Sequence, residues 1–153
     1  MIRIEVVIEE KNWLKKIKKI EFFFNSICKY FPKKYQLSNK KSLITLLLSN
    51  NNSIKKLNKK FRNKNKPTDI LSFPFESKIK IKNQLYLGDI IISYNFMNKP
   101  KKQSLTLFKN KVIKIFIHGF LHLLGFEHKK LKDYKIMFKE EQNIYQSVIK
   151  KIN

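Results

Sequence analysis

The sequence has little of what a secreted or membrane protein needs. Cys28 is the only cysteine among 153 residues, so an internal disulfide is impossible and a reducing setting is expected. The first residues, MIRIEVVIEEKNW, carry charges throughout and predict no secretory leader. The longest purely apolar run, around Leu46–Leu48, is far shorter than the roughly 20 residues of a membrane-spanning helix. We therefore expect a cytoplasmic protein without a membrane partner.

Glycine and proline are also scarce. The chain has three glycines and four prolines, too few and too scattered to mark a linker, and no internal repeat is visible. A chain of this length buries enough apolar surface to fold around one core. We therefore expect a single domain spanning residues 1–153.

Acidic residues and arginine are the remaining scarce types. Eleven Asp and Glu residues stand against 34 Lys and Arg residues, which gives a formal net charge of +23. A strongly positive surface attracts polyanions such as nucleic acids. However, abundant Lys, Asn, Ile and Phe is also the pattern of A/T-rich codon usage, so charge alone is weak support for RNA binding. Arg62 and Arg3 are the only arginines.

Hydrophobic patterning in the first half predicts alternating strands and helices. IRIEVVI at Ile2–Ile8 and SLITLLLS at Ser42–Ser49 are rich in apolar and β-branched residues and predict strands. Between them, apolar residues from Trp13 to Ile27 recur at spacings of three and four, which predicts one amphipathic helix that ends before Pro32. The cluster Asn50–Ser53 offers N-caps for a second, lysine-rich helix.

The second half predicts two more strands and then two helices. TDILSFPF and YLGDIIIS read as strands on either side of the lysine-rich stretch Lys78–Asn83, and Pro74 limits the first to a sheet edge or an early stop. Ser104 is a candidate N-cap for a helix that runs into the histidines. A last helix carries Tyr134, Met137, Ile144 and Val148. This order predicts an α+β domain with a small mixed sheet packed by helices.

All three histidines lie in the segment HGFLHLLGFEH, residues 118–128. His118 and His122 are four residues apart, so on a helix they share one face and can approach one ion. Gly125 can adopt the left-handed conformation that ends a helix, which lets His128 return toward the same ion. The alternative is two ordinary helix residues and a surface histidine. The three spacings together favour a metal site at the end of a late helix.

Three protein ligands and an open fourth position are typical of catalytic zinc. The segment matches the metalloprotease pattern HExxHxxGxxH at every histidine and at the glycine, but Gly119 stands where a protease has its general-base glutamate. The usual peptidase mechanism is therefore disfavoured. Histidine ligands also suit nickel, copper and iron.

The chain resembles the YbeY family of bacterial endoribonucleases. HGFLHLLGFEH corresponds to the family pattern HGxLHLxGYDH, LNKKFRNKNKPTDILSFP to LNxxYRxxDxxTDVLSFP, and LGDIII to LGD followed by apolar residues. The resemblance covers most of the chain from Leu57 onward. It implies one zinc ion held by His118, His122 and His128, a functional Arg62 near the metal, and single-strand cleavage in 16S rRNA 3′ end maturation and ribosome quality control. It also implies the rRNA precursor and the small ribosomal subunit as partners, and no DNA.

Several positions depart from the family pattern. Phe61 and Phe126 replace tyrosines, Asn65 replaces an aspartate, and Glu127 replaces the aspartate before the last histidine. The segment after His128, usually acidic in the family, is KKLKDYKIMFKEEQ. The predicted ligands are unchanged, so these differences concern their surroundings.

Two other functions stay open at this point. A non-catalytic factor would bind rRNA through its lysines and use the metal to stiffen the helix end. A metallohydrolase with a peptide or other non-RNA substrate would use the same ion for different chemistry. Arg62 likewise has two interpretations: a solvated charge at a helix C-terminus, or a guanidinium that grips phosphate and stabilises negative charge.

Overall fold

A small mixed sheet organises the protein. The computed structural model describes residues 1–76, 80–81 and 83–152, so half of the stretch Lys78–Asn83 lies outside the described residues. The strands are β1 (Ile2–Ile8), β2 (Ser42–Ser49), β3 (Ile70–Pro74), β4 (Lys80–Ile81) and β5 (Gln84–Ser93). They run in the order β1-β2-β5-β3, and the short β4 pairs with the beginning of β5. β1, β2 and β5 are parallel, whereas β3 and β4 are antiparallel to β5.

Helices cover the sheet, which confirms the predicted fold class. A single turn of 3-10 helix lies at Lys33–Tyr35. The α-helices are α1 (Trp13–Lys16), α2 (Ile20–Lys29), α3 (Asn51–Arg62), α4 (Tyr94–Met97), α5 (Leu105–Leu123) and α6 (Leu131–Ile152). Among the described residues, no helix is both long and apolar enough to cross a membrane.

The sheet buries its two faces against different helices. Strand side chains alternate between faces, and the face that carries Ile44 and Ile90 joins the main core with residues of α2, α5 and α6. The opposite face carries Leu71 and Ile91, which pack with Ile54 of α3 in a separate, smaller cluster. α3 and α5 therefore lie on opposite sides of the sheet, and β3 forms the edge between them.

The predicted helix from Trp13 to Ile27 is wrong in one respect, because the backbone breaks between α1 and α2. Ile17 is extended, with φ −134° and ψ 102°, yet its side chain is buried. The break directs the buried indole of Trp13 to donate to the Ser49 carbonyl oxygen at 3.1 Å. The apolar residues still recur at spacings of three and four because side chains of both α1 and α2 enter the core.

Other local predictions are confirmed. The Asn50 side chain accepts a hydrogen bond from the Ser53 amide and caps α3, and Ser104 accepts from the Leu107 amide and caps α5. β3 is an edge strand that ends at Pro74. The last helix, α6, carries Met137, Ile144 and Val148 in the core, whereas Tyr134 is 52% exposed.

Candidate metal centre and groove

α5 brings the first two histidines together. The helix is continuous from Leu105 to Leu123, so the four-residue spacing places both imidazoles on one side. The Nε2 atoms of His118 and His122 lie 3.0 Å apart. Two nitrogens bound tetrahedrally to one zinc ion at 2.0 to 2.1 Å would be about 3.3 Å apart. Small side-chain adjustments therefore suffice for both to bind one ion.

Gly125 ends α5 and returns the chain toward these histidines. Its φ is +96°, its amide donates to the His122 carbonyl at 3.0 Å, and the next amide, of Phe126, donates to the Leu121 carbonyl at 3.1 Å. These two bonds form a Schellman motif, the usual glycine-terminated helix end. Three residues later His128 is exposed at the site, and the nitrogens of all three histidines lie within 4.8 Å of one another.

Two protein oxygens fix the orientation of the helical histidines. His118 Nδ1 lies 2.5 Å from Glu141 Oε1 on α6, and His122 Nδ1 lies 2.8 Å from the Phe126 carbonyl oxygen. A carbonyl only accepts hydrogen bonds, so His122 Nδ1 must carry a proton, and in the neutral imidazole Nε2 then holds a lone pair. If His118 donates to Glu141 in the same way, two lone pairs face each other, and a cation between them relieves the repulsion.

Burial and positive neighbours favour the neutral form of His122. Desolvation lowers the pKa of its imidazole below the usual value of 6.5, and the nearby charges of His118, His128 and Arg62 act in the same direction. The hydrogen bond to the Phe126 carbonyl opposes this shift. Metal ligands must be deprotonated, so these surroundings suit a ligand histidine. The donor set fits zinc and also other first-row metals.

Gly119 has a packing role that the motif comparison did not reveal. It faces the sheet, and a Cβ added there would lie 2.6 Å from Ile70 Cδ1 and 3.0 Å from Ser72 Oγ on β3. α5 approaches β3 so closely that side chains of β3 would have to shift to admit a Cβ at this position. A glutamate at residue 119 would therefore point into the sheet, so here the geometry as well as the sequence disfavours a peptidase general base.

Arg62 reaches the same region from the other side of the sheet. α3 ends at this residue because Asn63 adopts a left-handed conformation, with φ 56°. The following loop is anchored by the buried Asn58, whose side chain donates to the Lys66 carbonyl at 2.8 Å. Arg62 Nη2 lies 3.4 Å from the Ser72 carbonyl oxygen at the β3 edge, and the rest of the guanidinium is available because the residue is exposed.

The histidines and Arg62 line one groove of about 750 Å³. Lys64 and Lys129 add positive charge to its walls, and the side chains of Asp69 and Glu127 also line it. Asp69 accepts a hydrogen bond from the Ile70 amide at 2.8 Å, so it shapes the start of β3. The exposed, positive character of the groove suits an extended anion more than a small apolar ligand.

Phe61 and Phe126, which stand where the family pattern has tyrosines, pack in different surroundings. Phe61 is 58% exposed and packs edge-to-face on Phe73, with ring centroids 5.2 Å apart. Phe126 packs its ring against the main core, and its backbone carbonyl contacts His122. Neither contact requires a tyrosine hydroxyl. Asn65 and Glu127 are both exposed.

Glu141 is the residue at this site that sequence reasoning missed. It lies 23 positions after His118, on a different helix, so no local spacing connects the two. The acidic pair of this helix, Glu140 and Glu141, makes two different contacts. Glu140 pairs with Lys34 at 2.7 Å, whereas Glu141 contacts the histidine.

Fold and centre together define a mixed α+β protein with a three-histidine arrangement suited to a metal ion. The chain belongs to the endoribonuclease YbeY family, whose profile matches residues 7–149. It is 64% identical to the Endoribonuclease YbeY of Pelagibacter ubique (strain HTCC1062) over 99% of either chain. It is 42% identical to that of Buchnera aphidicola subsp. Acyrthosiphon pisum (strain APS) over 78% of this chain and 79% of the other.

The fold is also similar to a solved structure. The solution structure of TM1509 from Thermotoga maritima superposes with a TM-score of 0.56, covering 97% of this chain and 89% of the other at 24% identity. That likeness concerns the fold alone.

Proposed function

We propose that this protein is a metal-dependent endoribonuclease that cleaves single-stranded RNA and acts in 16S rRNA 3′ end maturation and ribosome quality control. The observation that carries the proposal is the convergence of three histidines in one basic groove with Arg62. Membership of a family whose relatives are named endoribonucleases supports the RNA substrate. The rRNA precursor, the small ribosomal subunit and a cytoplasmic location are parts of the proposal.

His118, His122 and His128 would hold the ion, which we propose to be zinc. Such an ion supplies a Lewis acid that polarises a phosphoryl oxygen and lowers the pKa of a water molecule. Glu141 and the Phe126 carbonyl keep two imidazoles in the required orientation. Arg62 contributes a fixed positive charge that binds a phosphate oxygen and stabilises the charge that develops there.

The attacking group is either water or the ribose 2′-hydroxyl, and the two leave different RNA ends. Direct hydrolysis leaves a linear phosphate on one of the two new ends, a hydroxyl on the other end and a free 2′-hydroxyl. Attack by the 2′-hydroxyl leaves a 2′,3′-cyclic phosphate on one end and a 5′-hydroxyl on the other. Mapping the product ends on a single-stranded RNA separates these routes.

Cleavage of a single-stranded RNA by wild type, Arg62→Ala and Lys64→Ala protein tests the proposal. Removing a preorganised charge stabiliser costs about 10²- to 10³-fold in kcat, and we expect that loss in Arg62→Ala. Lys64→Ala is the matched control, because it removes a neighbouring exposed cation from the same groove. RNA binding without cleavage by the wild type would favour the non-catalytic factor instead. Turnover of a peptide that RNA does not inhibit would favour a different metallohydrolase.

A further inference from the structure

The first turns of α6 expose a row of large apolar side chains. Leu131, Tyr134 and Phe138 are 70%, 52% and 49% exposed, and their spacing of three and four residues aligns them on one face of the helix. The rings of Tyr134 and Phe138 are nearly parallel, at 15°, with their centroids 6.2 Å apart. We call the two rings of this row, Tyr134 and Phe138, the aromatic stripe.

Positive charge surrounds the aromatic stripe. The lysines at positions 129, 130, 132, 135 and 139 are all exposed. The acidic residues of the same turns are occupied or lie elsewhere: Glu140 pairs with Lys34, Glu141 contacts His118, and Asp133 lines a separate pocket with Ile136. The surface therefore combines flat apolar rings with exposed cations, which complements a polyanion that carries aromatic bases.

Helix geometry places the aromatic stripe near the metal centre. Glu141 contacts a candidate metal ligand, and Phe138 and Tyr134 lie three and seven residues before it. At 1.5 Å per residue these offsets are about 4.5 and 10.5 Å along the helix axis, and Tyr134 falls about 20° around the axis from Glu141. Stacked nucleotides of one strand are about 3.4 Å apart. The stripe thus extends over about three nucleotides from the level of the centre.

We propose that the aromatic stripe is a stacking surface for bases of the single-stranded RNA next to the cleaved phosphate. Tyr134 and Phe138 stack on bases, and the flanking lysines contact phosphates. Single-strand binding proteins combine these two contacts in this way, and base stacking on an aromatic ring tolerates any sequence. This proposal rests on the proposed function and assigns a substrate contact to a segment where the chain departs from the family's acidic pattern.

Equilibrium binding to a short single-stranded 2′-O-methyl RNA containing 2-aminopurine tests the stacking, since the fluorescence of that base falls when it stacks. We expect the Tyr134→Ala/Phe138→Ala variant to bind about 5- to 100-fold more weakly and to lose the quenching. For this variant, the slope of log Kd against the logarithm of the salt concentration should match that of the wild type, because the slope reports phosphate contacts.

Three further variants make the outcome decisive. Tyr134→Trp/Phe138→Trp keeps planar rings and should bind like the wild type, whereas Tyr134→Leu/Phe138→Leu keeps apolar character only and should bind as weakly as the alanine variant. Phe22→Ala removes a 73% exposed ring beside Ile152, about 20 Å along α6 from Phe138, and should leave RNA affinity unchanged.

Wild-type affinity in the leucine variant would overturn the proposal, because RNA binding would then not require planar rings. Wild-type affinity and quenching in the alanine variant, in a protein that cleaves RNA, would also overturn it while the proposed function stands. A wild type that neither binds nor cleaves RNA would reject the proposed function itself. All of the substituted side chains are exposed, so we expect thermal unfolding to match the wild type in each variant.

Discussion

The close approach of α5 to β3 predicts that alanine is disfavoured at residue 119 although the position is helical. In an unconstrained helix, Gly→Ala stabilises by about 1 kcal/mol. Here the new Cβ would meet Ile70 Cδ1 at 2.6 Å, with Ser72 Oγ at 3.0 Å and Ile90 Cγ2 at 3.3 Å. Overpacking of this kind costs about 1 to 3 kcal/mol. We therefore expect Gly119→Ala to lower the free energy of unfolding by about 1 kcal/mol.

Urea unfolding of the single and double variants measures this effect. Ile70→Val removes the methyl group nearest to the new Cβ. The double variant should therefore lose about 1 kcal/mol less free energy of unfolding than the sum of the losses in the two single variants. Gly125→Ala is the matched control: nothing lies within 4 Å of its Cβ position, and its cost comes from a φ of +96°, so Ile70→Val should give it no relief. A Gly119→Ala variant about 1 kcal/mol more stable than the wild type would refute the close packing.

Two predictions concern the acidic pair on α6. Glu141→Gln should weaken zinc binding about 10- to 100-fold, measured by competition titration against a chromophoric chelator. Glu140 does not contact the histidine, so Glu140→Gln should bind zinc like the wild type. Equal zinc affinities in the two variants would contradict a role of Glu141 at the site. For Glu140, Lys34 and the Tyr35 hydroxyl lower the carboxyl pKa below its usual 4.5, so its stabilising contribution is present above pH 4.5 and is lost as pH falls through the lowered value. Unfolding measured from pH 7 downward should show a steeper loss in the wild type than in Glu140→Gln, and parallel curves would contradict that assignment.

The parts of the site that depend on local spacing could be predicted from sequence. The positions of His118 and His122 follow from helical periodicity, and the end of α5 follows from Gly125 as the residue that takes a positive φ. The mixed sheet with β3 at its edge could be predicted because Pro74 cannot donate to a central ladder.

Contacts between distant segments could not be predicted in this way. The role of Gly119 depends on Ile70, and the orientation of His118 depends on Glu141, so both require the packed fold. The break between α1 and α2 was missed because Ile17 is buried in an extended conformation, and its apolar spacing matches that of a continuous helix. The exposure of Tyr134 could not be predicted either, because periodicity identifies an apolar face without showing where that face ends.

Metal analysis combined with RNA cleavage tests the central claim most directly. We predict one tightly bound zinc ion per wild-type chain, loss of cleavage when a chelator removes it, and recovery when zinc is restored. His122→Ala should lose both the ion and the cleavage while circular dichroism shows an unchanged fold. A His122→Ala protein that cleaves RNA at the wild-type rate, or a metal-free wild type that does so, would contradict the account.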